Sequence, residues 1–111
     1  MSNEGFERAF NAMSAEVHQT AVEHGWWEND RNDGEAIALM HSELSEALEG
    51  LRHDSRDEHL PLKRSVEVEL ADCIIRIMDI AYKRGWDVAG ALTQKAAYNK
   101  SRPYKHGGRQ F

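Results

Sequence analysis

Two short acidic steps, Glu43-Leu44-Ser45-Glu46 and Glu69-Leu70-Ala71-Asp72, hold the residues of this chain best suited to chemistry. Each lies in a run that otherwise reads as the buried face of a helix. With residues set about 100° apart around a helix axis, Ala36, Leu39, Met40, Leu44, Ala47, Leu48 and Leu51 fill one apolar arc, with Ile37 at its far side. Glu43 points into that arc and Glu46 lies at its edge. The second step repeats the pattern: Val66, Leu70, Cys73, Ile74, Ile77, Ile80 and Ala81 make the arc, with Glu69 inside it and Asp72 at the edge. An unpartnered buried carboxylate is costly and tends to take up a proton, and carboxylates that face one another raise each other's pKa. A divalent cation resolves the conflict, and carboxylate oxygens suit Mg2+ or Mn2+. The expectation is a metal site built on two antiparallel helices. Acids three residues apart also occur as Glu4/Glu7, Glu46/Glu49 and Asp54/Asp57, where a solvated face explains them. Placement inside an apolar arc, found twice, sets Glu43, Glu46, Glu69 and Asp72 apart. Arg76 falls near Glu69 and Asp72 on the same wheel, so a structural ion-pair cluster is the competing reading.

Four helices must position these groups. Phe6, Phe10, Met13, Val17 and Ala21 recur at steps of three or four, the mark of an amphipathic helix over about Gly5 to His24. Gly25 ends it, since glycine tolerates the left-handed conformation at a helix C-terminus. Trp26 and Trp27 follow, then a polar loop to Gly34 in which Asn32 or Asp33 caps the next helix. That helix runs from about Gly34 to Leu51. A charged connection and Leu60-Pro61 precede a third, from about Leu62 to Lys83, closed by Arg84-Gly85. Asp87 caps a fourth, from about Val88 to Lys100. No stretch alternates with a period of two, so no strand is expected. The reading is an all-α, four-helix single domain over residues 1–111, with an irregular basic tail from about 101 to 111.

Bulk properties agree. A chain of 111 residues with 41% hydrophobic content supports one modest core and one domain. No apolar run reaches the length of a membrane span. The N-terminus lacks the basic flank and apolar core of a signal peptide, which makes the cytoplasm the expected compartment. The single cysteine, Cys73, excludes an intrachain disulfide and a cysteine-rich zinc site. Charge is polarised: residues 1–94 carry −10 and residues 95–111 carry +5. An acidic body attracts cations and a basic tail attracts anions, so a ligand that offers a metal-bound face to the one and free phosphate oxygens to the other is favoured. The acidic body repels a nucleic-acid backbone, which ranks nucleic acid last among partners.

In order and spacing these motifs resemble the MazG-type all-α nucleoside triphosphate pyrophosphohydrolases, a superfamily that also holds dimeric dUTPases and phosphoribosyl-ATP pyrophosphohydrolases. The resemblance rests on Glu-x-x-Glu, a spacer of 22 residues, and Glu-x-x-Asp on the next long helix. Gly25-Trp26-Trp27 looks like the aromatic segment ahead of the metal helix. The stretch from Lys95 through Tyr98, Asn99, Arg102, Pro103, Lys105 and His106 to Gly107 looks like the Lys…Asn…Arg-Pro segment of compact members. The resemblance implies cleavage of a nucleoside triphosphate between its α and β phosphates, giving a monophosphate and pyrophosphate. It implies that Glu43, Glu46, Glu69 and Asp72 hold two or more Mg2+ or Mn2+ ions, with Glu46, or else Glu43, orienting the attacking water. Lys95, Asn99, Arg102 and Lys105 are the expected phosphate ligands. Of Trp26 and Trp27, one is expected to plug the core and the other to stack on the base. Tyr98 and Trp86 read as packing residues, His41 as a surface or interface residue. Two wide apolar arcs exceed what one small domain can cover, so a homodimer or homotetramer is expected. The opposing hypothesis is a non-enzymatic helical dimerisation module whose acids are tied up in ion pairs.

Overall fold

The computed structural model describes residues 3–103. Four helices follow one another: α1 (Glu4–Glu23), α2 (Asp33–His53), α3 (Ser65–Arg84) and α4 (Val88–Ser101). Among the described residues there is no strand, and Arg56 and Arg64 form one isolated bridge.

Each boundary has a local cause. Gly25 adopts φ +81°, and the Trp26 N–H donates back to the Ala21 carbonyl at 3.0 Å, which closes α1. Asn32 caps α2 by accepting the Glu35 N–H on its side-chain oxygen at 2.7 Å. Asp87 does the same for α4, accepting the Gly90 N–H at 2.9 Å. Gly85, at φ +72°, ends α3. The third helix starts at Ser65, three residues later than the sequence suggests. The preceding backbone is already committed: Asp57 N–H donates to the Lys63 carbonyl at 3.0 Å and Ser65 N–H to the Ser55 carbonyl at 2.8 Å. Glu67 then reaches back to accept the Arg64 N–H at 2.8 Å.

The most extensive packing joins α2 to α3, and α1 covers the other side of α3. The helices α2 and α3 run antiparallel: Gly50 lies against Ser65, Met40 against Cys73 and Glu43 against Arg76. Gly50 permits the close approach, since a Cβ there would sit 2.9 Å from that of Ser65. The core is thin and built largely from small residues, with Ala21, Ala36, Ala47, Ala81, Ala89 and Cys73 buried beside the larger Met78 and Ile80. Much of the expected apolar surface stays open. Leu44, Leu48, Leu51, Leu70 and Ile74 are each between 44% and 50% exposed. The radius of gyration, 16.6 Å, exceeds the roughly 13 Å of a closed domain this long.

The fourth helix makes its principal contacts with α1, through buried Ala89 and Gly90 and a hydrogen bond from the Thr93 hydroxyl to Glu7 at 2.9 Å. Small residues at that contact leave Tyr98 outside, 56% exposed, and Trp86 is 44% exposed. Neither is the packing residue that the sequence suggests. No helix of the described chain is long and apolar enough to cross a membrane.

Candidate metal and nucleotide site

Glu43, at the middle of α2, is 8% exposed. From α3, Glu69 and Asp72 come to meet it, each half-buried. One carboxylate oxygen from each of these three residues lies within 4.8 Å of the others. Four acids are expected at this point and three make the tight cluster. Glu46 lies at the arc's edge, so its side chain faces solvent, yet it stands close enough to act on Glu69.

The electrostatics record the crowding. Burial, then the hydrogen-bonding approach of Glu43 and Glu46, then the charges of Glu46 and Asp72, push Glu69 up to about 8. Burial also raises Asp72, with the Glu43 charge adding to it and Arg76 pulling the other way. Glu69 Oε2 is buried and has no hydrogen-bond partner, a costly state for a carboxylate oxygen. Arg76 donates from Nε to Glu43 Oε1 at 2.9 Å. The sequence puts Arg76 beside Glu69 and Asp72, its neighbours on α3; across the helix pair it grips Glu43 instead. Among the described residues, Glu69 and Asp72 make no ion pair with Lys, Arg or His. The donor set therefore fits a hard divalent cation: all oxygen, anionic, convergent and left partly unpaired.

A cavity of about 340 Å³ lies between α1 and α3; none of the three acids lines it, and Arg76 connects it to the cluster. Met13, Val17 and Ile75 give it an apolar wall, Trp26 stands at one side, and Arg76 and Asp79 are among its polar groups, with Glu16, Thr20 and His24. Arg76 thus belongs to both places, bonded to Glu43 and lining the cavity. Its guanidinium carbon stands 6.0 Å from the centre of the Trp26 ring.

The two tryptophans have different positions. Trp27 donates from its ring nitrogen to both oxygens of Asp79, at 2.9 and 3.1 Å, and is half-buried. Trp26 is 50% exposed and lines the cavity. Asp79 is the residue the sequence reading passes over. It is 6% exposed and also bonds His18 Nδ1 at 2.7 Å, tying α1, the following loop and α3 together. Its signal was present, since Asp79 lies seven residues after Asp72 and so on the same flank of α3. Arg84 completes the tie by reaching Asp33 at 3.0 Å, Asp30 at 3.2 Å and the Arg31 carbonyl at 2.8 Å.

The expected phosphate ligands lie elsewhere in the protomer. Lys95, Asn99 and Arg102 are exposed at the C-terminal end of α4. Lys95 Nζ stands 4.6 Å over the Tyr98 ring and the Arg102 guanidinium 5.8 Å from it. No hydrogen bond or ion pair among the described residues joins this group to the acids. Lys105 and His106 lie outside the described residues. His41 is on the surface, as its wheel position suggests.

No protein-family model, curated protein or solved structure matches this chain.

Proposed function

We propose that this protein is a metal-dependent nucleotide pyrophosphohydrolase of the MazG type. It would cleave a nucleoside or deoxynucleoside triphosphate between the α and β phosphates, with water entering at one phosphorus and monophosphate and pyrophosphate leaving, in the service of nucleotide-pool control. One observation carries the reading: Glu43, Glu69 and Asp72 converge within 4.8 Å while a buried oxygen of Glu69 goes unpaired.

Glu43, Glu69 and Asp72 hold Mg2+ or Mn2+, with Glu46 as a further ligand from the solvent side. The ions, when bound, neutralise phosphate oxygens and acidify water. Glu46, exposed and next to the cluster, is free to orient the attacking water. Trp26 and the apolar wall of the cavity accept the base, while Trp27 keeps the loop in place through Asp79. Lys95 and Asn99 stand on α4 and Arg102 just past its end, and α4 packs chiefly on α1 and not on the acidic pair, so they serve phosphate across an interface with a second copy. The open leucines of α2 and the exposed Leu70 and Ile74 of α3 support a homodimer or a dimer of dimers.

The Arg76–Glu43 pair and the open leucines favour a second reading, a non-enzymatic helical dimerisation module. Pyrophosphate release from a nucleotide panel in Mg2+ or Mn2+ separates the two. The enzyme reading predicts release that disappears in Glu43→Gln and Asp72→Asn proteins whose melting shows them folded. No release from any triphosphate, or release that survives both substitutions, contradicts it.

A further inference from the structure

Arg76 is held at its Nε by Glu43, 2.9 Å away, and its two terminal amino groups make no hydrogen bond with the described residues. The side chain is 25% exposed, so the guanidinium is neither buried as a structural cation nor loose in solvent. One edge faces a metal ligand, and the side chain lines the cavity in which Trp26 also stands. A guanidinium with its free edge turned outward presents two parallel N–H donors, the geometry that matches two oxygens of one phosphate. Among the described residues no other cation makes an ion pair with the carboxylate cluster.

We infer that Arg76 is a phosphate-binding residue of this site: it bridges the oxygens of the bound nucleotide between the cations on the carboxylates and the base in the cavity. The inference rests on the function proposed above and adds to it a protein ligand for phosphate within the same protomer, on α3, where the sequence suggested only the basic C-terminal segment. Glu43 fixes the guanidinium plane before the nucleotide arrives. A pre-set fork loses less side-chain freedom on binding than a loose lysine, which favours anion capture here over capture by an exposed residue of α4.

The test is binding, not turnover. Mn2+ alone is titrated into wild-type, Arg76→Gln and Arg76→Lys proteins; then α,β-imido analogues of the common nucleoside triphosphates, which resist cleavage at the bond in question, are titrated at saturating Mn2+. Arg76→Gln should hold Mn2+ as well as wild type or more tightly, because the positive charge beside the site is gone. It should lose at least about tenfold in affinity for the analogues, with Arg76→Lys recovering part of the loss. Unchanged analogue affinity in Arg76→Gln overturns the inference. So does a parallel loss of Mn2+ affinity with no further loss for the analogues, which marks Arg76 as a brace for Glu43 alone. Wild-type protein that binds Mn2+ but no analogue also overturns it, whereas wild-type protein that binds no Mn2+ removes the proposed function first and this inference with it.

Discussion

Glu69→Gln keeps the shape of the side chain and removes the carboxyl that burial and the neighbouring acids hold protonated near neutral pH. In the folded protein Glu69 titrates at about 8, against an ordinary value of 4.5. Between those values the folded state keeps a proton that the unfolded state has lost, so metal-free stability falls as pH rises through that window and levels off above it. At about 1.36 kcal/mol per unit, the full separation is worth between 4 and 5 kcal/mol. Solvent on the Glu46 side of the cluster screens the charges and lowers this to about 2 kcal/mol. The amide escapes the cost. Without metal at pH 8, the Glu69→Gln protein should therefore melt above wild type, by about 8 °C at roughly 4 °C per kcal/mol, and within about 2 °C of it at pH 5. Millimolar Mn2+ should reverse the order, raising wild type and leaving the variant where it was. Thermal melting followed by circular dichroism at the two pH values reads all four states. A variant less stable than wild type at pH 8 without metal, or one that Mn2+ stabilises as well as wild type, refutes the account of the cluster.

Asp79→Ala leaves the Trp27 ring N–H and His18 without their shared acceptor, and should cost about 3 kcal/mol in urea unfolding. Gly50→Ala drives a methyl into Ser65 and should cost about 1–3 kcal/mol, with Mn2+ affinity falling as α2 and α3 are pushed apart. Leu48→Glu, at a side chain 50% exposed in the protomer, should shift the sedimentation coefficient to that of a monomer while leaving helix content intact.

The four helices were legible because their signals are local. Apolar spacing, Asn32, Asp87, Gly25 and Gly85 mark them without reference to anything distant. The start of α3 was not, because the Asp57–Lys63 and Ser55–Ser65 backbone bonds that delay it form between segments the sequence does not show to be neighbours. The carboxylate cluster was legible for a related reason: a charge inside an apolar arc is an anomaly within a single helix. Which cation meets which acid depends on how two helices are set against each other, and so Arg76 pairs with Glu43 and not with its neighbours on α3. Asp79 was missed because its partners, His18 and Trp27, lie 61 and 52 residues away. Lys95 and Arg102 meet over Tyr98 at the end of α4, but where that group lies relative to the acids depends on packing that periodicity does not encode.

Calorimetric titration of wild-type protein with Mn2+ at pH 7, in two buffers of different ionisation heat, bears most directly on the carboxylate site. Glu69, titrating at about 8, still holds its proton there and must give it up to a cation, so Mn2+ uptake should release close to one proton per site. The same titration of Asp72→Asn should show weakened uptake. No uptake by wild type, uptake with no proton released, or uptake undiminished in Asp72→Asn contradicts the claim that Glu43, Glu69 and Asp72 form a metal site.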